Sequence, residues 1–404
     1  MTAPETVRVL SALTAEGAEV RFVGGCVRDA VLGRPVTDVD IATHLPPEGV
    51  MRLLEANGVR AIPTGLAHGT VTAVVGDAQF EITTLRRDVE TYGRRAKVAF
   101  THDWAADAAR RDFTINAMFA APDGTLYDQF GGLADLRAGR VRFVGEPEER
   151  IREDVLRLLR FFRFQAHYGR EPPQEAALDA CARLAPSLPN LSGERIAGEI
   201  FRLLAAPEPA GMLRLMAERG ILAHLLPQAT AFDRLQALVA LEGPEAVADP
   251  LRRLAAVVVG GAPAAEAVAD RLRLSNEEQE RLTALAEPAA RLDPRMPARE
   301  RRRWLYRLGG ARYRDLALIA SAEAGTRGRR DRRAWRGLIG LAEAWGAPAF
   351  PLRGRDAVAL GVAAGPQVGS LLAEVEKWWI DGDFAAGRAA CLAELERRVA
   401  TRSG

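Results

Sequence analysis

The stretch that most constrains this chain is Val20–Thr43, VRFVGGCVRDAVLGRPVTDVDIAT. Val20–Val23 is a short apolar run of the kind a buried strand carries. Gly24-Gly25 interrupts it, and Cys26–Leu32 continues with the apolar spacing of a helix. A glycine pair between strand and helix lets backbone N–H groups approach an anion, and the helix start adds partial positive charge. Arg28 falls in the first helical turns, within reach of the same anion. After Pro35 the chain is extended again, so Asp38 and Asp40 share one face while Val39 and Ile41 face the core. Two neighbouring carboxylates repel unless a cation lies between them, and oxygen-only ligands suit Mg²⁺. Alone, a Gly-Gly turn is mostly just a turn and an Asp-x-Asp is mostly an exposed strand edge. Their succession in one short segment is much rarer.

Around this segment the pattern is mixed. Thr2–Gly17 reads as a helix with Val7, Leu10 and Leu13 inward, and Pro46–Asn57 as another with Val50, Leu53 and Leu54. His68–Val75 and Gln79–Thr84 read as a hairpin turning at Gly76-Asp77. Glu81 alternates with Phe80 and Ile82, which makes it the natural third acid beside Asp38 and Asp40, since many two-metal sites use three carboxylates. Arg86–Asp103, including Tyr92-Gly93, lacks periodicity and reads as a mobile loop. His102-Asp103 is incidental, and residues 225–404 contain no histidine, which excludes a histidine-metal hydrolase domain there. Arg110-Arg111-Asp112 reads as the solvated start of a helix with Phe113, Ala117 and Met118 inward. Tyr127–Leu136 is turn-rich.

Glu148–His167 reads as one amphipathic helix, with Ile151, Val155, Leu158, Leu159, Phe162 and Ala166 on one stripe. Asp154, Arg157, Arg160 and Arg163 follow at three-residue spacing on the other side, with Glu153 and Arg157 as an i,i+4 pair. A ladder of surface ion pairs would account for them. Phe161 and Phe164 interrupt that charged face, which suits a base-stacking pocket better than open solvent.

The wording GGCVRDAVLGRPVTDVDIAT, followed by RRDFTINA at Arg110–Ala117 and EDVLRLLR at Glu153–Arg160, resembles the class II CCA-adding enzyme and bacterial poly(A) polymerase family. The resemblance implies that Asp38 and Asp40 hold Mg²⁺, with Glu81 beside them, and that Gly24, Gly25, Arg28 and Arg111 bind a nucleoside triphosphate. It further implies that Asp154 and Arg157 select the base, supported by Arg160 and Arg163. A carboxylate can accept from the amino group shared by cytosine and adenine, while guanine and uracil present a carbonyl there and leave it unpaired. The SGERI segment at Ser192–Ile196, a serine-capped helix start in its own right, is similar to one that braces the selecting helix in that family.

From Glu171 onward the pattern is helical, broken near Pro207 and Pro209 and at Gly243-Pro244, Ala262-Pro263 and Gly365-Pro366. Net charge is +2 overall, yet Arg299–Arg336 holds thirteen arginines against four acids. With Trp304, Tyr306, Tyr313 and Trp335 interleaved, this block reads as an RNA-contacting surface represented by Arg302, Arg303, Arg329 and Arg330. Lys377-Trp378-Trp379 reads as core packing. The 404 residues allow several domains. No apolar run is long enough for a membrane span, the start lacks a signal-peptide pattern, and three scattered cysteines form no framework. The expectation is a cytoplasmic α+β protein: a nucleotidyltransferase α/β head with a mixed sheet over residues 1–140, a base-selecting helical neck over 141–206, and an all-α body and tail over 207–404 that binds tRNA. CTP and ATP are the implied substrates and template-independent CCA addition the implied reaction. A poly(A) polymerase, a partial CC- or A-adding enzyme and an inactive RNA-binding protein are the alternatives, and no protein partner is implied.

Overall fold

A computed structural model describes residues 1–92, 95–243, 247–325 and 329–403. The chain is α+β, with a mixed sheet near the N-terminus and helices thereafter. It divides into two compact units. The first comprises Met1–Phe232, Ala248–Pro250 and Glu266–Asn276; the second comprises Asp233–Val247, Leu251–Ala265 and Glu277–Gly404.

In the first unit, helix α1 (Pro4–Thr14) leads into β1 (Val20–Val23), α2 (Gly25–Val31), β2 (Val39–Thr43), α3 (Pro47–Ala56), β3 (Arg60–Gly65), β4 (Thr70–Val75) and β5 (Ala78–Thr84). A hairpin, β6 (Arg86–Tyr92) and β7 (Arg95–Phe100), precedes α4 (Trp104–Ala109), the short strands β8 (Phe119–Ala120) and β9 (Leu126–Tyr127), and α5 (Gly132–Ala138). The sheet order is β3-β4-β5-β2-β1-β8-β9. Among the described residues only β2 and β5 run parallel, and their register sets Asp40 beside Glu81. Inward alternation puts Phe80 and Ile82 in the core and leaves Glu81 exposed. Val23, Ala42, Leu85, Ala117 and Phe119 pack into one apolar cluster under the sheet.

Several expectations are corrected. Along α1 the buried positions are Thr6, Val9, Ala12 and Leu13, and Val7 is half exposed. The segment read as a loop over Arg86–Asp103 contains the β6–β7 hairpin, whose antiparallel ladder forms a second sheet. Gly93 in that segment lies outside the described residues, as does Pro244 in the expected Gly243-Pro244 turn. Arg110-Arg111-Asp112 follows the end of α4 instead of opening a helix, and Thr114–Asn116 forms a single 3₁₀ turn. Phe113, Ala117 and Met118 are buried all the same. Asp103 caps α4, accepting from the Ala105 N–H at 2.8 Å.

The segment read as one helix from Glu148 to His167 is two: α6 (Pro147–Glu153) and α7 (Leu156–Tyr168). Asp154 between them is extended, with φ −151° and ψ 108°. Phe161 belongs to the core, stacked on Phe143 at 5.4 Å, and does not open to a pocket. Next come α8 (Glu175–Leu184), α9 (Gly193–Leu204) and α10 (Pro209–Glu218). Ser192 occupies the N-cap position of α9, but its hydroxyl makes no capping bond.

The second unit holds most of α11 (Phe232–Glu242) and α12 (Pro250–Val257), and the start of α13 (Gly261–Leu272). Ala262-Pro263 lies in the first turn of α13, where proline costs no helical bond, and so is no break. Then follow α14 (Asn276–Ala286), α15 (Ala298–Ala324), α16 (Arg329–Ala344), α17 (Gly354–Ala359), α18 (Pro366–Asp381) and α19 (Arg388–Ser403). Leu371, Val375, Trp379 and Leu395 form a core against which Tyr306 and Phe384 pack; Trp378 stays partly exposed.

The basic block differs from its expected form. Tyr313 and Trp335 are buried, and Tyr306 donates to Glu376 at 2.6 Å, so these rings serve packing and present no stacking surface. Arg302 is held by Asp383 and Arg303 by Asp381. Arg330 is exposed, and the Arg329 side chain lies outside the described residues.

Candidate active site

The first unit contains a cleft of about 500 Å³. Gly24, Gly25 and Arg28 form one wall, Asp40 and Arg111 another, and Asp154, Arg157 and Arg160 a third. Eight of the site residues expected from the sequence thus meet in one place, together with Phe164, the second of the two rings that interrupt the charged face. Asp38, Glu81 and Arg163 do not line the cleft. Asp38 precedes β2 instead of lying within it, and like Glu81 it is exposed.

Gly24, the N-cap of α2, has φ 74°, a conformation that favours glycine. A Cβ there would approach Arg111 Nη1 at 3.5 Å, so the missing side chain leaves both backbone and guanidinium open to the cleft. Arg28 is buried and anchored twice. It donates to Asn116 Oδ1 at 2.7 Å and to both oxygens of Asp29, at 3.0 and 2.7 Å. Its guanidinium also sits 4.3 Å from the Tyr168 ring, whose hydroxyl donates to Asp29 at 3.0 Å.

Arg111 is aimed by Asp107, which it meets at 2.9 Å and which also holds Arg110 at 2.7 Å. Burial alone would raise the Asp107 carboxyl, but the two guanidiniums outweigh it and hold the group below the usual carboxylate range. Burial brings Arg110 down to about 10 in spite of Asp107. Asp40 goes the other way. Burial and the neighbouring Glu81 push its carboxyl up to about 6, with Asp38 adding to the rise and Arg111 opposing it.

The charged row on α7 is not a ladder of mutual pairs. Arg157 bonds Glu153, Arg160 bonds Asp112 at 2.6 Å, and Arg163 bonds Glu199 at 2.5 Å. Asp154 accepts the Leu156 N–H at 3.2 Å, as an N-cap does, and its other oxygen accepts from Arg195 at 2.7 Å. Asp112 accepts from Asn116 at 3.1 Å as well as from Arg160. Arg28, Asn116, Asp112 and Arg160 therefore form one continuous hydrogen-bonded chain across the cleft wall. Burial would raise Asp112, and Arg160 and Asn116 more than reverse that, holding it below the usual range.

Sequence reasoning missed Arg110, Asp112, Asn116 and Arg195 as cleft residues. Asp112 and Asn116 stand inside the RRDFTINA wording, four residues apart, and Arg195 inside SGERI, so the signal was present as motif and absent as periodicity.

The carboxylates fit a hard divalent cation in charge and donor type: every donor is oxygen, and the burial and crowding that raise Asp40 are what a bound cation would offset. Among the described residues, no group of three or more His, Cys, Asp or Glu side chains is already gathered in ligand positions.

Residues 20–142 match the family model described as the Poly A polymerase head domain, and residues 173–233 match one described as a probable RNA and SrmB-binding site of polymerase A. The CCA tRNA nucleotidyltransferase 1, mitochondrial, of Mus musculus is 34% identical over 381 residues, covering 90% of this chain and 83% of the relative. The CCA-adding enzyme of Geobacillus stearothermophilus is 40% identical over 225 residues, covering 55% of this chain and 54% of the relative. A crystal structure of the Bacillus stearothermophilus CCA-adding enzyme in complex with CTP matches with a TM-score of 0.77 and 28% identity, covering 100% of this chain and 99% of that one. No helix among the described residues is long and apolar enough to cross a membrane. With the head motifs gathered in one cleft and a relative alike along nine-tenths of this chain, it belongs to the CCA tRNA nucleotidyltransferase family.

Proposed function

We propose that this chain adds CCA to the 3′ end of tRNA from CTP and ATP, without a nucleic-acid template. The observation that carries the reading is the single cleft that joins the Gly24–Arg28 turn, Asp40 and Arg111 to the Asp154–Arg160 segment. Nucleotidyl transfer in this family relies on divalent metal, which we take to be Mg²⁺. Asp38 and Asp40 would hold it, with Glu81 alongside; bound there, it supplies activation of the attacking hydroxyl and neutralisation of the triphosphate. Arg28 and Arg111 bind the phosphates, positioned by Asn116 and Asp107. Asp154 presents an acceptor and Arg157 a donor to the base edge, and Arg160 and Arg163 tie α7 to its supports.

This reading divides the chain into a catalytic head over 1–140, a base-selecting neck over 141–206, and a tRNA-binding body and tail over 207–404. In the last, exposed guanidiniums such as Arg330 contact phosphate, and binding weakens with salt. We place the enzyme in the cytoplasm; the mouse relative carries the word mitochondrial in its name, and cell fractionation separates the two locations.

The match to a poly(A) polymerase head keeps poly(A) synthesis as the second reading. Incorporation from each labelled nucleotide onto tRNA lacking its 3′ terminus decides. Two C then one A establishes CCA addition, long A runs establish poly(A) synthesis, a partial product establishes a CC- or A-adding enzyme, and no transfer leaves an RNA-binding protein. Asp40→Ala should abolish transfer and leave tRNA affinity nearly intact.

A further inference from the structure

The C-terminal end of α7 meets the phosphate side of the cleft in a contact to which the proposed chemistry gives no role. Phe164 and Tyr168 stand four residues apart on α7, so they share one face, and their ring centres lie 5.8 Å apart. Both rings rest against the Arg28 guanidinium, Phe164 at 5.3 Å and Tyr168 at 4.3 Å, within the range of a cation–π contact. Arg34, in the segment after α2, lies 4.7 Å from the same Tyr168 ring and donates to the His167 carbonyl at 3.2 Å. The end of α7 is thereby fastened to α2 and to the chain that leaves it.

The hydroxyl adds direction to this packing. Tyr168 Oη donates to Asp29 Oδ1 at 3.0 Å, and that same oxygen accepts from Arg28 Nε at 3.0 Å while Asp29 Oδ2 accepts from Arg28 Nη2 at 2.7 Å. Burial, with Asp29 adding to it and Arg28 opposing, raises the phenol above its ordinary value, so at neutral pH it remains a donor. Arg28 and Asp29 are adjacent on one short helix, where an aspartate has more than one staggered rotamer. The hydroxyl, delivered from another helix, selects the one that presents both oxygens to the guanidinium fork. Asn116 Oδ1 accepts from Nη1 at 2.7 Å. These bonds commit Nε–H and one N–H on each terminal nitrogen, and the second N–H on each remains. Nη2 lies against the glycine turn, where a Cβ added at Gly25 would come within 3.7 Å of it. Its remaining donor is therefore placed where that turn would hold an anion.

We propose that Tyr168 is a positioning residue for nucleotidyl transfer: from the end of the base-selecting helix it fixes, through Asp29, the guanidinium of Arg28 that meets the triphosphate. The inference rests on the reading of Arg28 as a phosphate ligand, and it adds that one element serves both halves of the nucleotide. Helix α7 is 13 residues long, about 20 Å, with Arg157 at the cleft near its start and Tyr168 on Arg28 at its close. A nucleotide whose base is seated against α7 meets an arginine already aimed by that helix, whether the base is C or A.

The test compares CTP with CMP, which lacks the outer phosphates, in equilibrium binding to the full chain with Mg²⁺, followed by steady-state transfer onto tRNA lacking its terminus. Tyr168→Phe keeps the ring and removes the hydroxyl, while Tyr168→Leu removes both. CTP binding should weaken about fivefold in the first and about 20-fold in the second, with CMP binding within about twofold of wild type. KM for CTP and ATP should rise by the same factors, with kcat within about twofold and the preference over UTP and GTP unchanged. Asp29→Ala should weaken CTP binding at least as much as Tyr168→Phe, and the double variant should lose no more than Asp29→Ala alone, because one group acts through the other. Wild-type CTP binding in Tyr168→Phe, equal losses for CTP and CMP, or additive losses in the double variant would overturn the proposal, whether or not Tyr168→Leu folds. Arg28→Ala separates this outcome from failure of the underlying reading. Unchanged CTP binding in Arg28→Ala removes the phosphate assignment and the proposal with it, whereas a loss there beside wild-type binding in Tyr168→Phe refutes the role of Tyr168 alone.

Discussion

The cleft's selectivity should depend on a residue that never needs to touch the nucleotide. Asp154 is held in its extended conformation by two bonds, from the Leu156 N–H and from Arg195 Nη2. Arg195→Ala removes the second. A charge-assisted hydrogen bond contributes about 1.5–3 kcal/mol, and both side chains are 21% exposed, so screening by solvent lowers the expected loss to about 1–2 kcal/mol. At 1.36 kcal/mol per tenfold, the correctly turned Asp154 loses roughly 5- to 30-fold in population against its alternatives. On the proposed roles, that loss should fall on recognition of the amino group of C or A, and much less on phosphate binding by Arg28 and Arg111. Single-turnover kcat/KM for CTP, ATP, UTP and GTP on truncated tRNA measures it. The preference for CTP and ATP should shrink by about tenfold, with triphosphate binding within about twofold of wild type. Arg195→Lys should recover part of the preference, because it keeps the charge and loses the fork. A variant with a lower Tm and unchanged selectivity would show that Arg195 braces the fold alone and would refute the reasoning.

Asn116→Ala breaks the chain between Arg28 and Asp112, and kcat/KM should fall about tenfold for CTP and ATP alike, since the lesion lies on the phosphate side; a change in base preference would contradict this placement. Asp40 has its folded pKa raised to about 6, above its unfolded value, so its ionisation opposes folding and that cost is complete once pH has risen through 6. Asp40→Asn should therefore raise the Tm of metal-free protein at pH 8 by about 2–4 °C and change it little at pH 4, and a lower Tm at pH 8 would remove the carboxylate-crowding account. Phe161→Ala should cost about 3–5 kcal/mol in urea unfolding, because the ring is fully buried against Phe143 and Phe162 and contacts no cleft space; a loss under about 1 kcal/mol would place it at the cleft after all.

What the sequence disclosed and what it concealed follow from the reach of each signal. Strand, glycine turn, helix and Asp40 are encoded within two dozen residues, and local alternation suffices to read them. The break at Asp154 is one residue long, and Ile151 and Leu158, seven residues apart, stay buried on either side of it. A periodicity averaged over the segment passes across such a break, and only the aspartate itself, a good N-cap before Leu156, marks the place. The charge of the basic block misled for the opposite reason. Counting arginines along Arg299–Arg336 leaves out acids supplied from elsewhere in the chain: Asp383 for Arg302, Asp381 for Arg303, Glu280 for Arg312 and Glu343 for Arg314. Local excess becomes net field only where no such partner arrives, as at Arg332 and Arg336. Among the described residues, the unpaired cationic surface of this block is thus smaller than the sequence suggests, and most of it lies on α16, at Arg330, Arg332, Arg333 and Arg336.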